Sequence, residues 1–330
     1  MKTKKPKFVA GVFVTALIVC IVDSYIYQNA PIDDKFIAGS TAGKNGVWFR
    51  NYWYRGKYTE PDFEKMLERV KSHHLRYAYF HVLSVAKDGR LEYHHPKEAK
   101  KLTDKMHESC PNTLCLAWVF IPSDFLSNGV DLGQAATKTN LHQEAKWLID
   151  ECGFDGVQWD YEFAPNNDKR FLTFLAESRK AIPTSKHLSI AAPMNYPLTL
   201  YGWSDDYFKE VAPFVDQVAV MSYDSYLWLP RMYGALVARQ VKHVSQDVSQ
   251  ANPHCTVIIG LPTYKNTTLT HQPFCESLAN SLRGIEQGLR DNKKSAEKSN
   301  IDGIALFADY TTDEKDWKLF DSTIKSDLNN

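Results

Sequence analysis

Beyond residue 43 the chain alternates between two patterns. Short apolar runs, often β-branched, alternate with longer stretches whose apolar positions recur every three or four residues. The runs Gly46–Trp53, Leu75–Leu83, Thr113–Ile121, Phe154–Phe163, Leu188–Pro193, Val215–Tyr223, Cys255–Pro262 and Ile301–Phe307 read as eight strands apolar on both faces, as buried parallel strands are. Helices are expected between them. Thr59-Glu-Pro-Asp supplies an N-cap and an early proline for the first, and Phe63, Met66, Leu67 and Val70 line its apolar side. The others are Pro96–Cys110, Leu141–Cys152, Asp168–Ile182, Ser204–Phe214, Met232–Ser249, Pro273–Asn292 and Asp313–Lys325. Gly153 and Pro183 fall where helices should stop. Eight βα units in succession predict an α/β fold, a (β/α)8 TIM barrel over 44–330, with an open doubly wound sheet as the alternative. No Pro-, Gly- or Ser-rich linker splits the chain.

The N-terminus breaks this pattern. Lys2, Lys4, Lys5 and Lys7 precede Phe8–Val22, a run without a charge that ends at Asp23. A basic cluster before an apolar run of this length reads as a signal anchor or signal peptide over 1–27, followed by a linker over 28–43. An uncleaved segment would leave the lysines in the cytosol and the barrel outside, membrane-anchored; a cleaved one would leave it secreted.

Charge fits that division. Lys+Arg and Asp+Glu both number 39, but four lysines and no acid lie before residue 23. The remainder has 35 bases against 39 acids and a net charge of −4. No basic excess points to a nucleic-acid partner. Five of the six cysteines lie beyond the leader, without metal-binding spacing; Cys110 and Cys115 are a candidate local bridge and the others read as buried thiols. His73-His74 and His94-His95 sit on polar segments and read as surface pairs. No metal or organic cofactor is expected.

Candidate chemistry lies on the fourth run, Phe154-Asp-Gly-Val-Gln-Trp-Asp-Tyr-Glu-Phe163. Alternation along a strand puts Gln158, Asp160 and Glu162 on one face, with the two acids about 6–7 Å apart. In a barrel, catalytic groups sit at the C-terminal ends of the strands. Two carboxylates there have no basic neighbour in sequence, so burial and like charge should raise one pKa, as a general acid requires.

This strand resembles the signature of glycoside hydrolase family 18, the chitinase family: Asp-x-x-Asp-x-Asp-x-Glu. Asp155, Asp160 and Glu162 match, and Gln158 replaces the second Asp. Tyr77–Phe80 with Asp88–Leu91, Met221-Ser-Tyr-Asp224, Gly260-Leu-Pro-Thr-Tyr264 and Gly303–Leu306 resemble further family segments in the same order. The resemblance implies substrate-assisted retaining hydrolysis of β-linked N-acetylglucosaminyl glycans, a scheme without a protein nucleophile. Candidate substrates are chitooligosaccharides, peptidoglycan and the N-glycan core. Glu162 would act as acid and then base, Asp160 would hold the substrate's acetamido N–H, and Tyr223 would bond its oxygen. Asp224 and Met221 would line the same subsite.

The pattern is not followed throughout. Gln158 brings no charge, although it can still bond Asp160. Phe307 stands where the family usually has a tryptophan floor, and Tyr310 or Trp317 could contribute there. Leu116–Ile121 replaces the family's Ser-x-Gly-Gly on strand three. Tyr264 leads quickly to the next helix, so no insertion domain is expected after strand seven and the cleft should be open. Trp53, Trp203, Tyr226, Trp228 and Tyr310 fall at strand ends as candidate sugar-stacking aromatics, Trp228 foremost; Trp147 and Trp159 read as packing. Asn266-Thr-Thr268 is a glycosylation sequon. The expected partner is an N-acetylated glycan, bound by a monomer. The competing expectation is a catalytically weak or inactive chitinase-like carbohydrate-binding protein.

Overall fold

A computed structural model describes residues 5–41, 43–126, 129–196 and 202–324, with the side chains of 5–14 and 324 outside that description. Eight parallel strands close in sequence order into a barrel. They are β1 (Gly46–Phe49), β2 (Tyr77–Ser84), β3 (Leu114–Pro122), β4 (Gly156–Glu162), β5 (His187–Ala192), β6 (Gln217–Met221), β7 (Thr256–Pro262) and β8 (Ile301–Phe307). The (β/α)8 expectation holds. Each strand lies within the run expected for it, to within a residue or so, but β1 stops at Phe49, because residues 50–56 turn instead of extending.

Local signals set the surrounding helices. In α3 (Glu60–Ser72), Thr59 and Asp62 form a reciprocal capping box, and Phe63, Met66, Leu67 and Val70 are buried. The next helices are α4 (Pro96–Ser109), α5 (Ala135–Asp150) and α6 (Lys169–Ala181). Asp168 caps α6 through Arg170 N, and Phe171, Phe174 and Leu175 face inward. Ser204 caps α7 (Asp205–Val211), which tightens into a 3-10 turn at Pro213. The helix expected over Met232–Ser249 is instead α8 (Pro230–Arg239), a π-helical turn over Gln240–Val244, and α9 (Ser245–Ala251). Then come α10 (Leu278–Lys294) and α11 (Glu314–Ile324). Between β7 and α10 the chain holds no inserted domain.

Several expectations need correction. All six cysteines are free, so Cys110 and Cys115 form no bridge; Cys110 Sγ contacts the Leu67 carbonyl instead. His73 is buried, stacked on Trp317 at 4.4 Å and bonded to Asp321. Trp53 and Trp203 are packing residues, their indole N–H groups donating to Asp309 and the Ala164 carbonyl. The stretch 28–43, expected as a linker, contains α2 (Asp34–Thr41), whose Ile37 and Ala38 are fully buried and which packs on α11, β8 and α10.

Ahead of it, α1 (Lys5–Asn29) is one continuous helix. Among the described residues, no helix is long and apolar enough to cross a membrane. Lys2, Lys4 and the side chains of Lys5, Lys7 and Phe8–Val14 lie outside the described residues.

Candidate active site

The acidic strand is built as its alternation requires. Trp159 and Tyr161 point outward onto α6, the first against Phe174 at 5.2 Å and the second stacked on Phe171 at 5.1 Å. Those aromatic contacts fix the strand's register, so Gln158, Asp160 and Glu162 turn inward. Full pairing with β3 (Leu116↔Gly156 to Pro122↔Glu162) and with β5 (Gly156↔His187 to Asp160↔Ala191) holds it from both sides.

Glu162 ends the strand at the mouth of a cavity of about 440 Å³. The cavity also takes in Met221 at the end of β6, Tyr223, Asp224 and Tyr226 beyond it, Pro193, Met194 and Tyr196 from beyond β5, and Phe163, Ala164 and Thr270. Its size and largely apolar wall suit a small organic group. Of the residues expected at the site, Glu162, Tyr223, Asp224 and Met221 line it.

Asp160 lies one inward position deeper and is 2% exposed. Its Oδ2 accepts a 2.7 Å bond from Trp118 Nε1, while Oδ1 is buried without a protein partner. Trp118 comes from the strand-three sequence that departs from the family pattern, so that strand still contacts the acidic one. Burial pushes the Asp160 carboxyl well above the usual carboxylate range, and the Glu162 charge pushes it further. Glu162 is raised first by burial and then by the Asp224 charge. Burial also raises Tyr223 well above its ordinary value, so its hydroxyl remains a donor.

Gln158 belongs to a different layer. It is fully buried, lies outside the cavity and makes no bond to Asp160. Its Oε1 accepts from Trp48 Nε1 at 2.7 Å and its Nε2 donates to Ser189 Oγ at 3.1 Å. Ser189 Oγ and Tyr79 OH both donate to Gln217 Oε1. This neutral chain crosses the barrel from β1 to β6 and uses both ends of the Gln158 amide.

Phe307 supports the site from beside Tyr223. Their rings stack at 5.0 Å, and Phe307 meets Trp48 and Trp118 edge-on at 6.0 Å each. Trp228 and Tyr310 stand outside the cavity, 58% and 48% exposed. Trp317, on α11, is buried against His73 and does not line the cavity.

A supporting carboxylate went unread in the sequence. Glu276, fully buried, accepts from the backbone N–H groups of Asp224 and Ser225, from Ser225 Oγ and from His271 Nδ1. It pins the turn in which Asp224 adopts φ +56°, and Thr270 Oγ1 bonds Asp224 Oδ1 at 2.8 Å. Nothing local in Phe274-Cys-Glu-Ser277 marks it, since the turn it pins, at Asp224 and Ser225, lies 52 and 51 residues away in the chain.

Among the described residues, one group of His, Cys and Asp donors lies close enough to share an ion: His107, Cys115 and Asp155, at the opposite end of the barrel. Asp155 Oδ2 there already accepts from His107 Nε2 and the Cys115 N–H, which ties β3 to β4. Asp155, the first acid of the sequence motif, is thus a structural residue far from Glu162.

Comparison with known proteins agrees with the barrel fold. No curated protein matches the chain. Among solved structures, the C-terminal domain of a putative chitinase from Desulfitobacterium hafniense superimposes with a TM-score of 0.60 at 14% identity, covering 86% of this chain and all of that one. The Bacillus cereus spore cortex-lytic enzyme SleL gives 0.58 at 15% identity over 87% of this chain and 75% of its own. A chitinase from Bacteroides thetaiotaomicron gives 0.55 at 15%, over 88% and 99%. At such identities these likenesses establish the fold. The profile of Glycosyl hydrolases family 18 matches residues 51–329, most of the chain, and the protein belongs to that family.

Proposed function

We propose that the protein hydrolyses β-linked N-acetylglucosaminyl glycans by substrate-assisted retaining catalysis, outside the cytoplasm. The observation that carries this reading is the convergence of Glu162, Tyr223 and Asp224 on one cavity, with Asp160 buried directly behind Glu162. Glu162, its pKa raised by burial, is suited to protonate the leaving glycosidic oxygen and then to deprotonate water. Asp160 Oδ1, lacking a protein partner, is an acceptor for the substrate's acetamido N–H. The acetamido oxygen then attacks the anomeric carbon, forming an oxazolinium ion, and the protonated Tyr223 hydroxyl can bond that oxygen. The cavity is open, which favours short or soluble chains over crystalline polymer. The cortex-lytic activity in the name of the Bacillus cereus protein supports peptidoglycan as one candidate beside chitooligosaccharides and the N-glycan core.

The test compares the protein with a Glu162→Gln variant on N-acetylglucosamine oligomers and peptidoglycan. Cleavage should fall at least about 10²-fold in the variant, the scale of general acid–base catalysis. Binding by both with cleavage by neither would replace this reading with that of a carbohydrate-binding protein.

A further inference from the structure

The end of α1 is built into the barrel. Asp23 pairs with Arg231 in the first turn of α8 at 2.8 Å. The Tyr27 ring lies against Gly234 of α8 and within reach of the Arg231 and Arg283 guanidiniums. Arg283 of α10 donates to the carbonyls of Gln28 and Ala30, and Arg290, two turns further along α10, pairs with Asp33.

The order of these contacts gives a direction. From Asp23 to Asp33 the chain runs alongside α8 and α10 from their N-terminal ends downward. Those ends lie at the face where strands hand over to helices, the face that carries the cavity. The described part of α1 before Asp23 therefore extends past the cleft face. From Lys5 to Val22 a continuous helix projects about 27 Å.

Two further observations concern that face. Leu17, Ile18, Val19, Ile21 and Val22 are each at least 50% exposed, so this length of α1 is apolar on every side. A helix apolar all round needs a surrounding apolar medium, whereas a protein groove would cover one side of it. Among the described residues, every other exposed large apolar side chain lies on α1, on a segment following a barrel strand, or in the first turn of α8; none lies at the opposite end. Of these, Phe274 is tied to α1 through its carbonyl, which accepts from Gln28 Nε2, and its ring centroid lies 6.4 Å from that of Trp228; Met232 lies beside Arg231, the partner of Asp23, in the first turn of α8, and Leu269 lies on the segment after β7. Leu269 and Met232 are aliphatic and offer no ring to a sugar. An apolar patch of this kind marks an interaction surface, and a tryptophan on it suits a lipid interface.

We infer that the protein is seated on a lipid bilayer with the exposed length of α1 in the lipid and the Trp228–Phe274 rim against its surface, so that the cleft faces the membrane. The four lysines before the apolar run add attraction to anionic headgroups. Resting on the proposed hydrolase reading, the substrate is then an N-acetylated glycan held close to the bilayer, either lipid-linked or laid against it.

The orientation can be tested without any glycan, so its failure and failure of the hydrolase reading are distinguishable. The full-length protein is mixed with phosphatidylcholine–phosphatidylglycerol vesicles, with and without brominated phosphatidylcholine. Trp228 is the exposed tryptophan; the others are buried or partly buried. The expected result is flotation with the vesicles and a loss of tryptophan emission on bromination. That loss should persist in Trp53→Phe and disappear in Trp228→Phe, which still floats through α1. Flotation with equal quenching in Trp228→Phe would overturn the orientation. Absence of flotation would overturn the membrane seat, as would lipid-free association into an oligomer that ignores vesicles, which would assign the surface to a second copy.

Discussion

Asp160 concentrates the conflict between stability and chemistry in this fold. Its carboxyl is raised because burial and the Glu162 charge disfavour ionisation. A group raised in this way stabilises the folded state below its unfolded pKa, and that contribution is lost as pH rises through the folded value. Asp160→Asn should therefore raise the melting temperature at neutral pH, by about 2–4 °C for each kcal/mol recovered, while abolishing hydrolysis. The stability gain should shrink as pH falls and the parent Asp160 itself becomes protonated. Thermal melts across pH check both signs, and a destabilised Asn variant at neutral pH would contradict the burial argument. Glu162 gives a second prediction. It must be protonated to act as acid, and its pKa is raised by burial and by Asp224. The alkaline limb of kcat/KM should accordingly lie above the ordinary carboxylate range, and Asp224→Asn should move it to lower pH. A limb that ignores Asp224 would remove that charge from the account. The shared inward face of Asp160 and Glu162 was legible because alternation and motif coincide there. The surroundings of Gln158 were not, because Trp48 and Ser189, which bind both ends of its amide, come from β1 and β5, distant in sequence.

At the scale of elements, strands and caps were the legible part. Thr59, Asp168 and Ser204 each cap a helix where a polar residue precedes an apolar repeat. The stretch 28–43 was not legible, since α2 is short, buries only Ile37, Ala38 and Thr41, and owes its helix to packing on α11, β8 and α10. The docking of α1 hides in the same way, and its tightest contact is one close approach. A Cβ placed on Gly234 would stand 1.7 Å from Tyr27 Oη. Gly234→Ala should therefore destabilise the protein by about 1–3 kcal/mol through overpacking. In a Tyr27→Ala background the same change should instead stabilise by about 0.5–1 kcal/mol, the ordinary helix preference for alanine. A double-mutant cycle in denaturant measures the sign reversal; equal effects in both backgrounds would mean that α1 does not pack there.

For the whole molecule, repetition of βα units announced the barrel, and barrel geometry gathers the chemistry at one end. Burial separates the two ends further. At the base, His107, Cys115 and Asp155 bind one another, while the opposite face carries Glu162, Tyr223 and Asp224 with exposed aromatic residues around them. Sequence resemblance pointed to residues of that face but did not separate those that line the cavity from those outside it. Met221 and Asp224 line the cavity, whereas Trp228, further along the same segment after β6, and Tyr310, beyond β8, stand exposed outside it. The central claim is that the substrate's own acetamido group, not a protein carboxylate or a directly attacking water, displaces the leaving sugar. Time-resolved proton NMR of N-acetylglucosamine oligomer cleavage tests it most directly. The β-anomer should appear first with the parent enzyme, a thiazoline mimic of the oxazolinium ion should suppress it, and Glu162→Gln should slow it at least about 10²-fold; an α-anomer formed first would contradict substrate assistance.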